Sequence, residues 1–468
     1  MKKGLTYADI LLVPKKTPLE SRKQAQVSTL FTKNVVLNIP FVSSNMATVT
    51  EHEMAISMAR HGGIGVIHQF STIEDRCNEV RKVKRSTAYV IDEPLSVPST
   101  ITIKELKEKL VNTGISSALV IDKELVGIIT HKDYQFAKDD LTVEQVMTKK
   151  PNLIVCNEVP SINNAKNIMY KHRIEKLPII SDTIKLITAK DVRQHEEWKY
   201  ANRDNKGRLR VAAALGVKTA ITDAKELIDA GVDVLVMDVA HAHSDTIIET
   251  VKQLKSLYAI DLMVGNIATV QAARDLIEAG ADGLKVGIGP SPVCTTRIMS
   301  GAGIPQFTAV QDVCKIAKEY GVPVTADGGM SSPGDAVKAI AAGAHSVYSG
   351  SFFAGTDEAP GRILVKNGKR YKKYMGSASY DNNHARTENL TKTKIKKTLD
   401  IFVEGVAVLV DYKGPVRGVL KKLVKGLQSG ISYGGGHNIK ELQENAEFIQ
   451  ITAAGWHESG SRGSKLSE

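Results

Sequence analysis

The residue types best suited to covalent chemistry gather between Lys285 and Gln306, in the run KVGIGPSPVCTTRIMSGAGIPQ. Cys294 follows Gly287, Gly289, Pro290 and Pro292, and stands directly before Thr295 and Thr296. Glycines let a backbone turn tightly and approach a ligand. Prolines stiffen the loop and remove amide donors. A thiol fixed in place before substrate arrives is a candidate nucleophile. The competing reading of a free cysteine is a small buried apolar side chain. That reading is preferred for Cys156 and Cys314, because burial is the default for the residue type.

Further polar clusters recur at regular intervals. They are Asp238-Val-Ala-His241, Asn266-Ile-Ala-Thr269, Asp327-Gly328-Gly329 and Gly350-Ser351. Each follows a short apolar run: Asp233–Met237, Asp261–Gly265, Pro323–Ala326 and Ser346–Ser349. The cysteine loop follows Gly283–Gly287 in the same way. With Arg210–Leu215, and with Leu37–Ser43 and Ile64–His68 near the N-terminus, eight such runs alternate with helical patterns such as Glu51–Arg60, Thr222–Ala230 and Val270–Ala279. Eight βα units in one domain predict a closed (β/α)8 TIM barrel, an α/β fold. A doubly wound open sheet is disfavoured, since no G-x-G-x-x-G joins a first strand to its helix. In a barrel, function sits where strands end, and loops seven and eight commonly grip phosphate.

Residues 93–198 read differently. Ala118–Asp133 (ALVIDKELVGIITHKD) and Leu177–Asp191 (LPIISDTIKLITAKD) are two copies of one pattern, each ending T-x-x-D. Helical segments, Thr102–Asn112 and Ile162–Lys171, precede them. The expected division is therefore a barrel from residues 1–92 and 199–468, with an inserted module at 93–198. Thr and Asp at such positions also cap a following helix, and both readings of the motif stay open.

The 468 residues carry 42% hydrophobic and 24% charged side chains, as a globular protein does. No run is long enough to span a membrane, and the N-terminus lacks the apolar core of a signal peptide. Four widely spaced cysteines suggest a reducing compartment, hence the cytoplasm. The net charge of +11 suits small phosphorylated ligands as well as nucleic acid. Basic residues are scattered except at Lys392–Lys397, and aromatics make up only 5%, so a stacking surface for single strands is not expected.

The cysteine stretch, with GIGP, then CTTR, then G-x-G-x-PQ, resembles the catalytic loop of the family that contains IMP dehydrogenase and GMP reductase. The repeat resembles a tandem pair of CBS domains. The resemblance implies that Cys294 attacks C2 of a purine nucleoside monophosphate while a hydride moves between that carbon and a nicotinamide. It implies that Asp327 binds the ribose, that Gly328, Gly329, Gly350 and Ser351 hold the phosphate, and that Met375 and Gly376 complete the substrate site. Asp238, Asn266, Gly287 and Gly289 would face the dinucleotide. Glu404, in EGVAVLVDYKG, would form a proton relay with Thr296. Thr130, Asp133, Thr188 and Asp191 would meet a regulatory adenine or guanine nucleotide. A potassium ion would be held by backbone of Gly289, Ser291 and Cys294 and by Glu458 and Ser459 of a neighbouring subunit, in a homotetramer or octamer. Two departures stand out: Ser291 replaces a usual glycine, and Pro292 replaces a serine that usually helps bind phosphate.

The same resemblance separates two reactions. Dehydrogenases hydrolyse a covalent intermediate with an Arg-Tyr pair on a flap, whereas here Arg386 is followed by Thr387. Asn45-Met46, Asp238-Val-Ala and Val408 also lean toward the reductase. The inserted module, GIPQ and the ITAAGWHES tail are commoner in dehydrogenases, and Ala47 departs from both. The expectation is an NADPH-dependent GMP reductase. The alternatives are an NAD-dependent IMP dehydrogenase and a catalytically inactive nucleotide sensor; intact Cys294, Thr296, Asp327 and Glu404 oppose the sensor.

Overall fold

The computed structural model describes residues 1–86, 90–113, 115–380, 382 and 403–460. Arg386–Thr387 and Lys392–Lys397 lie outside the described residues. The chain divides into two units: Met1–Ser86 with Tyr200–Asn205 and Leu209–Glu468, and Thr87–Lys199 with Lys206–Arg208.

In the first unit, eight strands close into a parallel barrel. They are β1 (Phe41–Ser43), β2 (Ile64–Ile67), β3 (Ala212–Leu215), β4 (Val234–Asp238), β5 (Asp261–Ile267), β6 (Gly283–Val286), β7 (Val324–Asp327) and β8 (Ser346–Ser349). β8 pairs with β1 and completes the ring. Helices α1 (His52–Arg60), α2 (Ile73–Arg85), α3 (Ala220–Asp229), α4 (Asp245–Leu257), α5 (Val270–Glu278), α6 (Gln306–Glu319), α7 (Pro333–Ala341) and α8 (Val416–Tyr433) alternate with the strands. Parallel strands covered by helices are buried on both faces, which is why the runs are apolar throughout rather than alternating. Thr72, Ser244, Thr269 and Ser332 each accept an amide hydrogen bond at the start of α2, α4, α5 and α7. These caps convert a loop into a helix start where backbone amides lack partners.

Val42, Ile64, Val66, Ala212, Ala214, Val234, Val236, Met263 and Tyr348 form one buried cluster. Phe31, Val35 and Leu37 join it from the hairpin Thr29–Thr32/Val35–Leu37. Asp261, the first residue of β5, accepts hydrogen bonds from Thr32 Oγ1 (2.5 Å) and Asn34 Nδ2 (2.7 Å). The hairpin thus stoppers the end of the barrel where strands begin, leaving the opposite mouth for chemistry.

The insertion leaves after α2 and the chain returns before β3. Buried ion pairs hold the first unit together at this gap. Arg76 meets Asp223 at 2.6 Å, with side chains 6% and 9% exposed. Lys84 meets Asp233 at 2.5 Å and Asp204 at 3.1 Å.

The second unit repeats a hairpin and helix. Ser117–Ile121 pairs antiparallel with Leu125–Thr130 before the short helix His131–Tyr134. Lys176–Ile180 pairs with Ile184–Thr188 before the helix Ala189–Glu197. Each copy has its own core. A further cluster joins Leu119, Leu125 and Ile128 of the first copy to Leu186 of the second.

Removing one partner of a buried pair strands the other charge, which costs about 3–5 kcal/mol. Asp223→Ala should therefore lower the urea midpoint markedly. Lys225→Ala, which breaks a mostly exposed pair with Asp229 on the same helix, should leave the midpoint in place.

Candidate active site

Four strands deliver polar side chains to one point at the barrel mouth. Lys285 lies within β6, and its side chain is 2% exposed. Its ammonium donates to Asp238 Oδ1 at 2.6 Å, to Asp327 Oδ2 at 2.9 Å and to Asn266 Oδ1. Asp238 ends β4, Asn266 lies near the end of β5 and Asp327 ends β7. Asn266 Nδ2 also donates to Asp327 Oδ2 (2.8 Å) and to the Gly287 carbonyl (2.6 Å). Asn45 Nδ2 donates to the other Asp238 oxygen at 2.7 Å, and Tyr348 donates to Asn45 Oδ1 at 2.6 Å. Burial alone would pull the Lys285 ammonium toward neutrality; the Asp238 and Asp327 carboxylates outweigh it and hold its pKa above the ordinary value. Gly287 must be glycine: its φ is +151°, and a Cβ would stand 2.2 Å from the Asp327 carbonyl oxygen.

The cysteine loop is clamped from both sides. Arg297 donates to the carbonyls of Ile288 (2.9 Å) and Ile304 (2.6 Å), drawing the ends of the loop together. Backbone bonds from Thr295 N to Glu404 O (2.9 Å) and from Val406 N to Val293 O (3.0 Å) lay the loop against the segment that carries Glu404. That segment leads into Ala407–Asp411, which with Leu364–Lys366 and Lys369–Met375 forms an antiparallel sheet outside the barrel.

The result is a continuous relay. Cys294 Sγ lies 3.1 Å from Thr296 Oγ1, which donates to Glu404 Oε2 at 2.8 Å. A hydroxyl has one proton to give. With that proton directed at Glu404, the thiol is the donor to Thr296 Oγ1, so a proton can pass from sulfur toward the carboxylate.

Beside the relay lies a cavity of about 270 Å³, lined by Cys294, Thr296, Glu404, Asp327, Gly328, Gly350, Ser351, Asp238, Asn266, Lys285, Gly287, Gly289, Ser291 and Gly376. Gly328 and Gly329 have φ of +78° and +77°. Gly329 borders an adjoining groove with Ser351. A Cβ at Gly350 would meet Tyr374 Oη at 2.5 Å and Ser44 Oγ at 3.1 Å. Ser44 Oγ is buried without a partner among the described residues. The Tyr374 hydroxyl is bonded to Ser291, and burial pushes its pKa up. Glycine backbone, an unsatisfied hydroxyl and a hydroxyl pair fit an anion held by hydrogen bonds. Phe70, Val239 and Ala240 give the cavity an apolar wall, a surface suited to a flat ring. Met375 does not line the cavity; its amide donates to Thr48 Oγ1 at 3.1 Å.

The remaining sequence candidates lie elsewhere. Thr130 and Asp133 bond to each other, with Oγ1–Oδ2 at 2.7 Å, and Thr188 and Asp191 do the same at 2.5 Å. Both pairs sit at the start of a helix, in the capping arrangement. Among the described residues no hydrogen bond or ion pair joins Glu458 or Ser459 to the cysteine loop of the same chain.

A family model described as IMP dehydrogenase / GMP reductase domain matches residues 4–462. The chain belongs to that family of purine nucleotide oxidoreductases. Among curated members, it is 47% identical to an inosine-5'-monophosphate dehydrogenase of Nitrosopumilus maritimus, over 98% of both chains. It is 44% identical to a GMP reductase of Leishmania donovani, over 98% of this chain and 96% of that one. A crystal structure of a cysteine-to-alanine variant of Trypanosoma brucei GMP reductase with guanosine 5'-monophosphate superimposes with a TM-score of 0.93, at 41% identity and 99% coverage of each chain.

Several residues that shape this family member's site escaped the sequence reading: Lys285, Asn45 as a partner of Asp238, Ser44, Tyr374 and Arg297. Lys285 did carry a signal, since a lysine in the middle of GLKVG is costly to bury unless it has partners. Tyr374 did not, because nothing local ties it to Gly350.

Glu404→Gln keeps the shape of the relay but removes its proton acceptor. Turnover should fall by about 10²–10⁴-fold while KM for the nucleotide stays within a few-fold. Steady-state kinetics on the purified variant checks this.

Proposed function

We propose that the protein is an NADPH-dependent GMP reductase that converts GMP to IMP and ammonia through a covalent bond to Cys294. The observation that carries this reading is the unbroken path from Cys294 Sγ through Thr296 Oγ1 to Glu404 Oε2. Asp327 accepts ribose hydroxyls, and the glycines at 328, 329 and 350, with Ser351, hold the phosphate. Asp238, Asn266, Gly287 and Gly289 border the nicotinamide side.

The steps follow from these roles. Sulfur adds to C2 of the purine as its proton moves to Thr296 and on to Glu404. The relay then returns that proton to the 2-amino group, which departs as ammonia and leaves the base joined to sulfur. Bound NADPH supplies the hydride that replaces sulfur at C2. The released thiolate regains a proton, and IMP leaves. Cys294 is the nucleophile and leaving group; Thr296 and Glu404 move protons; Asp238, Asn266 and Lys285 fix the polar wall.

Reductase is preferred to dehydrogenase because Arg386-Thr387 stands where the Arg-Tyr pair would activate water. A missing general base lowers a hydrolytic step by about 10²–10⁴-fold. The second reading, NAD-dependent oxidation of IMP to XMP, has specific support in the 47% identity to a protein named for that activity. Incubating the enzyme with GMP and NADPH should consume NADPH and give IMP, with Cys294→Ala inactive. Rapid XMP formation from IMP and NAD, with GMP inert, would replace the first reading by the second.

The second unit is proposed as a CBS pair in which Thr130, Asp133, Thr188 and Asp191 contact an adenine or guanine nucleotide. Potassium at the cysteine loop would draw Glu458 and Ser459 from a neighbouring subunit, consistent with a cytoplasmic homotetramer or octamer. A nucleotide at the CBS pair changes activity only if it binds two states unequally. Asp133→Ala should abolish any change in turnover caused by added ATP or GTP while leaving turnover without effector as it was; an undiminished response would remove Asp133 from that role.

A further inference from the structure

The Asp327 carboxylate is bonded asymmetrically. Oδ2 receives both Lys285 Nζ (2.9 Å) and Asn266 Nδ2 (2.8 Å). Oδ1 accepts no hydrogen bond among the described residues, and the side chain keeps 22% of its surface at the cavity. Asp238 is bonded differently: Oδ1 takes Lys285 and Oδ2 takes Asn45. Lys285 is almost fully buried at the edge of the cavity, reaching these groups from inside the barrel with its ammonium 5.0 Å from the centre of the Tyr348 ring.

We propose that Lys285 is a positioning residue: it occupies one oxygen of Asp327 and so aims the other at the ribose diol of the mononucleotide, with Asp238 holding the ammonium in place. This rests on the reading of Asp327 as the ribose contact and adds what makes that contact selective. A free carboxylate turns about its terminal torsion, which is broad and roughly two-fold. Two donors on one oxygen stop that rotation, and a fixed acceptor discriminates a hydroxyl from its absence better than a mobile one. A charge-assisted hydrogen bond to a diol is among the stronger neutral–ion contacts. Lys285 does not touch the diol in this arrangement; it acts through Asp327. Asp238 is then chiefly a brace for the ammonium.

The test compares GMP with 2'-deoxy-GMP by calorimetric titration of the full-length enzyme. Wild type should prefer GMP by about tenfold or more. Lys285→Met leaves two carboxylates facing each other and can fail to fold, so the double variant D238N/K285M is made alongside it; it keeps the formal charge of the cluster. In a folded double variant the preference should shrink to within about threefold, while overall binding of 2'-deoxy-GMP changes little. Asp238→Asn alone keeps the ammonium on Asp327 and should retain most of the preference. A folded double variant with the wild-type preference overturns the proposal. So does a wild-type crystal structure with GMP in which Lys285 leaves Asp327 and contacts the ribose directly, a measurement that needs no variant to fold. Failure of wild type to bind either nucleotide would instead overturn the reading of the substrate.

Discussion

The ammonium of Lys285 ties together the functional ends of four strands. It sits where the barrel interior gives way to the mouth, in contact with Asp238, Asn266 and Asp327. Burying an ion is costly, and the cost is offset only when partners of opposite charge and good geometry surround it. Here two carboxylates and an amide do so. The closed barrel is what makes this possible: β4, β5, β6 and β7 are adjacent in the ring, so side chains distant in sequence converge without a mobile loop. A cluster built on strands is held more rigidly than one built on loops.

Cys294 is positioned by other means. Its loop leaves β6 at Val286, one residue after Lys285, so the charge cluster and Cys294 share one stretch of chain. Arg297 closes the loop on itself, and Glu404 arrives from a segment beyond the barrel. The relay therefore depends on two separately built pieces meeting: the loop after β6 and the segment that ends in Ala407–Asp411. The cavity lies between them and the backbone at Gly328 and Gly350.

The barrel was legible because each parallel strand is buried on both faces and so appears as a short apolar run ended by polar residues. The same rule located Asp238, Asn266, Asp327 and Gly350 at strand ends. Cys294 was legible from the glycines and prolines around it, and Glu404 only through family resemblance, since a lone glutamate near Val406 and Ala407 carries no local signal. Contacts across long sequence separations stayed hidden. Asn45 bonds to Asp238 across 193 positions, and Tyr374 approaches Gly350 from a sheet that lies outside the alternating pattern. The T-x-x-D pairs show the opposite case. The motif is visible in sequence, and in the folded chain Thr and Asp bond to each other at helix starts, the capping role the sequence allowed.

The central claim is that sulfur of Cys294 becomes bonded to the purine during turnover. Rapid acid quench of the enzyme mixed with GMP, followed by peptide mass spectrometry, tests it directly. The account predicts that the peptide containing Cys294 gains the mass of GMP less ammonia, and that the adduct disappears when NADPH is included. Turnover of GMP with no adduct on Cys294 at any quench time, or an adduct on another cysteine, would contradict it.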